Sequence, residues 1–288
     1  MNLRAFWGLV MLPVNATRYV LLFMAVSLAL PAAADRVYTV GVVPQFEARA
    51  LAEIWVPILE ELETRTGLTL RMVGSPRIPE FEEGFEAGEF DFAYMNPYHM
   101  LVANNKQGYL PLVRDGGRQL FGILTVRKDS PIESVADLDG KIVSFPAPNA
   151  LGAALLMRAD LDSIHGIKVD PVYVSTHTSS YLNVVLGRAV AGGGVMGTFN
   201  KQKDEIKDQL RVLYETRRMP PHPLAAHPRI PVEVREKVRN AILEMAATNA
   251  GEKLLSNIPM RKAVEASLDD YLPLLKWGLE NYFVRSGD

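Results

Sequence analysis

The chain has 288 residues, 48% of them hydrophobic and 22% charged, which is typical of a globular protein and enough for two medium-sized lobes. Its formal net charge of −2 gives no electrostatic basis for binding nucleic acid. It contains no cysteine, which excludes disulfides, thiolate catalysis and thiolate metal sites.

The N-terminus predicts an exported protein. Residues 1–34 contain no acidic residue, and Arg4 and Arg18 precede an apolar run from Tyr19 to Leu30. A proline and three alanines follow, which completes the pattern of a secretory signal peptide. We therefore expect residues 1–34 to be removed and the mature protein to be periplasmic. An uncleaved N-terminal anchor is the alternative, because the segment before Arg18 is also apolar.

Strands and helices alternate in the first part of the mature chain. The order is strand 37–43, helix 49–66, strand 68–73, helix 80–87 and strand 91–95. This alternation predicts a parallel, doubly wound sheet, in which ligands bind beyond the C-terminal strand ends. Those ends carry the first candidate contacts, Gln45, Tyr94, Met95 and Asn96. A buried position under the sheet is the alternative for Tyr94.

A long strand at residues 119–127 predicts a crossing into a second lobe. After this strand, Ser134 and Asp137 are spaced as in a capping box, which predicts the start of a short helix. The elements expected next are strand 141–145, helix 152–161, strand 170–174 and helix 179–187. A strand at 210–214 and a proline-rich segment form a second crossing, and the expected tail helices cover residues 232–249 and 252–283.

Two crossings predict an α/β protein with two doubly wound lobes that close on a ligand like a hinged clamp. Lobe 1 would consist of residues 35–122 and 215–288, and lobe 2 of residues 123–214.

The loop before the helix at residue 152 predicts an anion site. The N–H groups at a helix N-terminus lack intrahelical acceptors and suit an oxyanion. We expect the backbone from Asn149 to Gly152 to donate, with the Asn149 side chain as a further donor. His177 lies between a strand end and a helix start, which favours a ligand contact, a surface position or a capping role. One hydroxyl beside it should be the N-cap.

Nothing in the sequence points to catalysis, a metal or a cofactor. The five histidines lack metal-ligand spacing, and no nucleophile elbow, phosphate loop or dinucleotide motif occurs. The carboxylates of Glu82, Glu83, Asp269 and Asp270 are expected to be solvated on helix surfaces. The glycines at residues 192–194 indicate either a close backbone approach or a simple strand-to-loop turn.

Five sequence blocks together resemble the periplasmic phosphate/phosphite/phosphonate-binding proteins of ABC transporters. These blocks are GVVPQ at 41–45, DFAYMNPYHM at 91–100, and the segments at 122–146, 175–189 and 220–242. The resemblance implies a type II periplasmic binding protein, with two α/β lobes joined by a two-strand hinge. It also implies a monomer without enzymatic activity that passes a small anion to a membrane permease.

The family's phosphonate-binding Ser-Thr-Ser run falls on Ala150, Leu151 and Gly152, so only backbone donors remain there. Its histidine matches His177, and the acidic residues of aminoalkylphosphonate binders match Thr178 and His222. An ammonium group would lose both counter-charges, each worth about 1–3 kcal/mol, so an aminoalkylphosphonate is not the expected ligand. Because the three hydroxyls are replaced by Ala, Leu and Gly, a more apolar organic anion is expected in place of free phosphate. The full set of expected contacts is Gln45, Tyr94, Met95, Asn96, Asn149, Ala150, Leu151, Gly152, His177, Thr178, Tyr181 and His222.

Two alternatives use the same scaffold. In the first, the protein senses a ligand and signals to a membrane histidine kinase instead of a permease. In the second, the protein is a periplasmic enzyme. The enzyme requires an acid, base or metal set in the cleft, and the sequence shows none.

Overall fold

The computed structural model describes residues 36–285, and the expected signal peptide at residues 1–34 lies outside this range. Within it, no helix combines the length and apolar character that crossing a membrane requires. From Val37 onward, the described residues cluster by their contacts into one compact unit.

The described residues form strands β1 (Val37–Val42), β2 (Thr69–Val73), β3 (Phe92–Tyr94), β4 (Leu110–Asp115), β5 (Gly122–Arg127), β6 (Ile142–Phe145), β7 (Asp170–Tyr173), β8 (Ala191–Val195), β9 (Leu210–Glu215), β10 (Leu224–Ala226) and β11 (Ala263–Glu265). The helices are α1 (Ala48–Thr66), α2 (Ile78–Glu86), α3 (Pro97–Gln107), α4 (Leu156–Ser163), α5 (His177–Val185), α6 (Met196–Phe199), α7 (Asp204–Lys207), α8 (Val232–Ala246) and α9 (Asn249–Leu255). A π-helical turn (Leu151–Leu155) leads into α4, and 3-10 turns occupy Val135–Leu138, Leu268–Asp270, Leu272–Trp277 and Leu279–Asn281.

These strands form two sheets. The first has the order β11-β4-β10-β3-β1-β2 and the second β7-β6-β8-β5-β9. The first sheet thus takes its strands from both ends of the described chain, and the second from the middle. Beyond β5 and β9, Leu120 and Met219 form an isolated antiparallel bridge, so the two crossings run side by side. Two sheets flanked by helices confirm the predicted α/β fold class, while the lobe boundaries stay a prediction.

The sheets are mixed, whereas the alternation predicted parallel ones. β1 pairs in parallel with β2 and β3, and β6 with β7 and β8. The strands that enter a sheet from a crossing are antiparallel to their neighbours: β10 to β3 and β4, and β5 to β8 and β9. Such a strand enters its sheet from the end opposite to the parallel strands, which reverses its direction.

Several elements were not predicted: strands β4, β8, β10 and β11, and helices α3, α6 and α7. Residues 96 and 97 follow the end of β3 and start the unpredicted helix α3. The side chain of Asn96 accepts hydrogen bonds from the N–H groups of Tyr98 and His99, and Pro97 occupies the first helical turn. The prediction of a tail helix at 252–283 is wrong, because α9 ends at Leu255 and is followed by β11 and by 3-10 turns.

Local capping residues fix the ends of helical segments. Gly67 ends α1 in the left-handed conformation at φ 63°. The capping box is present, since the N–H of Ser134 donates to the Asp137 carboxylate at 2.8 Å.

The glycines at residues 192–194 lie in the central strand β8, so close approach is the correct alternative. A Cβ atom on Gly193 would overlap the carbonyl oxygen of Ala153, and one on Gly194 would overlap the hydroxyl of Tyr181. The absence of side chains therefore lets the π-helical turn and α5 pack directly on the sheet.

Candidate functional site

A small cavity lies at the start of the helical segment that begins at Leu151. It has a volume of about 20 Å³. Seven of the residues expected to contact a ligand line it: Gln45, Asn96, Ala150, Leu151, Gly152, His177 and His222. They come from five separate stretches of the chain, and the fold brings them together.

The backbone of the π-helical turn supplies the cavity with donors. The N–H groups of Ala154 and Leu155 both donate to the Ala150 carbonyl, at 2.7 and 3.2 Å. The N–H groups of Leu151, Gly152 and Ala153 precede these bonds and therefore have no acceptor within the helix. The N–H of Ala150 donates to the Ala147 carbonyl at 3.2 Å. The free donors are thus shifted toward the C-terminus from the expected range of residues 149–152.

Two glycines position this turn against the second sheet. A Cβ atom on Gly122, the first residue of β5, would overlap the carbonyl oxygen of Gly152. A Cβ atom on Gly152 would lie 3.0 Å from Val195 and 3.1 Å from the nitrogen of Gly122. A hydroxyl-bearing residue at position 152, as the family motif has, would need the neighbouring backbone to move.

His177 is held at the start of α5. Thr176 is the N-cap, and its side chain accepts from the N–H of Ser179 at 3.0 Å, which identifies the expected capping hydroxyl. The Nδ1 atom of His177 lies 3.2 Å from the hydroxyl of Thr198, which lies 2.9 Å from that of Tyr181. Burial lowers the pKa of His177 to about 4, so the imidazole is neutral at pH 7.

The backbone is strained at Ser175, two residues before His177. Ser175 has φ 71°, a left-handed conformation that is uncommon for residues with a side chain. Such strain is often found at binding sites, where the surrounding fold stabilises it.

His222 lines the same cavity as His177. Its Nε2 atom lies 3.3 Å from the amide nitrogen of Gln45, and its ring stacks on Tyr94 with centroids 5.4 Å apart. Burial, together with the nearby His99 and His177, lowers the pKa of His222 to about 3. Both histidines that line the cavity are therefore neutral at pH 7. Neither lysine nor arginine lines it among the described residues, so the groups there that could interact with an anion are dipoles.

Asn149 does not serve as a free donor, which corrects the expectation from the sequence. Its amide nitrogen donates to Glu82 at 3.0 Å and to the Val284 carbonyl at 2.6 Å. Its amide oxygen accepts from the N–H of Val284 at 2.9 Å. Its carbonyl accepts from the Asn96 amide at 3.2 Å, so Asn149 holds the loop in position.

Glu82 was expected to be solvated, but it is only 2% exposed. Its Oε1 atom lies 2.8 Å from the Nε2 atom of the buried His99. Its position on the inner face of α2 was not apparent from spacing. Glu82 and Thr198 support Asn149 and His177, and neither belongs to a sequence motif that reveals this role.

The remaining expected contacts lie outside the small cavity. Met95 is fully buried, and its N–H donates to the Pro223 carbonyl at 3.2 Å. Tyr181 is buried against Thr198, and Thr178 is half-buried outside the cavity walls. Tyr94 is 4% exposed and lines a second, adjoining cavity of about 200 Å³, which we call the larger compartment.

Comparison with known proteins identifies the family of the chain and its fold. A family model described as the periplasmic substrate-binding protein of phosphonate ABC transporters matches residues 40–271. The phosphate-import protein PhnD of Mycolicibacterium smegmatis is 24% identical over 237 residues, which are 75% of this chain and 74% of that protein.

Two solved structures share the fold. The binding protein component of an ABC phosphonate transporter from Pseudomonas aeruginosa has a TM-score of 0.78 at 18% identity, over 85% of this chain and 86% of that one. PhnD1 from Prochlorococcus marinus, in complex with methylphosphonate, has a TM-score of 0.78 at 14% identity, over 86% of this chain and 100% of that one.

The family model spans most of the chain and confirms the resemblance drawn from the five sequence blocks. The two structures confirm the type II periplasmic binding fold. The chain therefore belongs to the family of periplasmic phosphonate-binding proteins of ABC transporters.

Proposed function

We propose that this protein binds a phosphonate, or the related oxyanions phosphite and phosphate, in the small cavity and delivers it to an ABC permease. The observation that carries the proposal is the convergence of seven expected contacts from five segments on one helix start. The names of two relatives point to the same ligand class, one as a phosphate importer and one in complex with methylphosphonate.

The proposed contacts follow from the chemistry of the walls. The N–H groups of Leu151, Gly152 and Ala153 would donate to the anionic oxygens at the positive end of the helix dipole. The neutral rings of His177 and His222 and the amides of Gln45 and Asn96 would complete the shell. Hydrogen bonds to an ionised group contribute about 1.5–3 kcal/mol each, so a few of them suffice without a cationic side chain.

Entry of the ligand requires the walls to separate. A volume of about 20 Å³ is close to what one ordered water needs, which is less than a phosphonate group occupies. We propose that residues 35–122 and 215–288 move against residues 123–214 about the two crossings at β5 and β9.

An aminoalkylphosphonate fits this site poorly. Among the described residues, no aspartate or glutamate lines the small cavity or the larger compartment. An ammonium group would therefore be desolvated without a counter-charge.

The family works with an ABC permease, which makes a permease the partner we propose in place of a sensor kinase. The relatives are transport proteins, and we propose periplasmic binding without a catalytic step.

Isothermal titration calorimetry of the mature protein against phosphate, phosphite, methylphosphonate, benzylphosphonate and methanesulfonate tests the proposal. We expect binding of at least one of the phosphorus oxyanions. The variant His177→Leu should weaken it by about tenfold or more, because one hydrogen bond to the anion is lost. The exposed His165→Leu is the matched control. Absence of binding to every anion would refute the oxyanion function.

A further inference from the structure

We infer that the ligand carries a bulky apolar substituent, preferably an aromatic ring, which occupies the larger compartment while its anionic group lies at the helix start. This inference rests on the proposed function and specifies the ligand class within it.

The relative size of the two cavities supports this division. The larger compartment has a volume of about 200 Å³, against about 20 Å³ for the small cavity. An apolar cavity of about 150 Å³ is sufficient to bind benzene. The larger compartment therefore accommodates a six-membered ring, whereas a methyl group would leave most of it unfilled.

The two cavities adjoin at a shared wall. Val43, Gln45, Val195 and His222 line both of them. A substituent on an anion bound beside Gln45 and His222 therefore lies next to the larger compartment.

The walls of the larger compartment are chiefly apolar and aromatic. Trp55 of α1 and Tyr94 of β3 meet with ring centroids 5.0 Å apart and a 57° tilt. Phe46 and Leu120 line the same space, and Met196 of α6 adds an adaptable side chain. Aromatic surfaces tilted in this way favour an aromatic guest through edge-to-face and offset contacts.

The charges at the larger compartment also distinguish the substituent. Arg118 and Lys201 line it, and among the described residues no acidic side chain does. The Nζ atom of Lys201 donates to the Asn257 carbonyl at 2.7 Å and lies 5.4 Å from the centre of the Phe46 ring. A cationic substituent would meet these like charges, whereas a neutral ring meets apolar walls.

Calorimetry of the wild-type protein with benzylphosphonate, methylphosphonate and 2-aminoethylphosphonate tests the inference. Benzylphosphonate should bind about thirtyfold more tightly than methylphosphonate, since burying a phenyl group contributes about that factor. 2-Aminoethylphosphonate should bind more weakly than both.

The variant Gly197→Leu tests the location of the substituent. A Cβ atom on Gly197 would lie 3.7 Å from Pro259 in the larger compartment, so the leucine side chain extends into that space without a clash at its base. We expect the affinity for benzylphosphonate to fall at least tenfold more than that for methylphosphonate. Gly74→Leu is the matched control, because Gly74 is exposed, has open space around it and lines neither cavity.

The outcomes distinguish failure of the substituent site from failure of the proposed oxyanion function. If methylphosphonate binds as tightly as benzylphosphonate, or if Gly197→Leu weakens both equally, the substituent site is refuted while the oxyanion function stands. If none of the three ligands nor phosphate or phosphite binds, both are refuted.

Discussion

Two buried histidines make the stability of the protein depend on pH. Burial lowers the pKa of His177 to about 4 and that of His222 to about 3, whereas an unfolded histidine titrates near 6.5. The unfolded chain therefore binds more protons between pH 6.5 and these lower values. The stabilising contribution is complete above pH 6.5 and is lost progressively as the pH falls toward 4.

At pH 5 we expect each of the two histidines to have lowered the free energy of unfolding by about 2 kcal/mol relative to pH 8. The variant His177→Gln should remove the contribution of His177, so the decrease in the free energy of unfolding between pH 8 and pH 5 becomes smaller. Urea unfolding at both pH values measures this difference. The exposed His165→Gln should keep the wild-type dependence. An unchanged dependence in His177→Gln would mean that His177 is not held neutral in the folded state.

The contact between β5 and the π-helical turn determines where the free N–H groups of Leu151, Gly152 and Ala153 lie. The turn approaches the strand so closely that Gly122 has no room for a side chain against Gly152. The same close packing occurs at Gly193 in β8, which the carbonyl of Ala153 covers. Glycines on two neighbouring strands thus hold the three free N–H groups at a defined depth.

The substitution Gly122→Ala should lower the free energy of unfolding by about 2–3 kcal/mol, because the added methyl group meets backbone that cannot rotate away. It should also weaken anion binding, since the π-helical turn is displaced. Chemical denaturation and calorimetry measure the two effects. The control Gly74→Ala has open space and should change stability by at most about 1 kcal/mol. Equal stability of the two variants would contradict the close approach.

The C-terminal segment from Tyr282 to Val284 connects elements of the two sheets. The carbonyl of Tyr282 accepts from Arg158 at 2.7 Å, and its hydroxyl donates to Asp162 at 2.8 Å, both on the helix that follows β6. The ring of Phe283 packs on Tyr98 of α3, with centroids 5.4 Å apart. Val284 exchanges two hydrogen bonds with Asn149 beside the site.

Truncation after Asn281 should let the two sheets separate more readily, because it removes the contacts by which residues 282–284 connect elements of the two sheets. We expect a larger radius of gyration without ligand in small-angle X-ray scattering, together with lower stability. Truncation after Arg285 keeps every one of these contacts and is the control. If both truncated proteins scatter like the full-length mature chain, the segment does not restrain the opening.

Local signals in the sequence were sufficient for much of the fold. The capping box of Ser134 and Asp137, the left-handed Gly67 and the alternation of strands and helices all depend on residues a few positions apart. The family blocks, which are also local, indicated the helix start at Ala150–Gly152 and both cavity histidines. The antiparallel strands β10 and β11 escaped prediction because their pairing partners are distant in the chain.

By itself, the sequence determined the α/β class, the family and the stretch at which we propose that an anion binds, because periodicity, caps and motifs depend on neighbouring residues. Tertiary structure alone decided which groups line the candidate site. The Asn149 amide is engaged by Glu82 and Val284, the histidines are neutral through burial, and the larger compartment opens between Trp55 and Met196. Burial, pKa and cavity shape depend on residues that approach one another only when the two sheets come together.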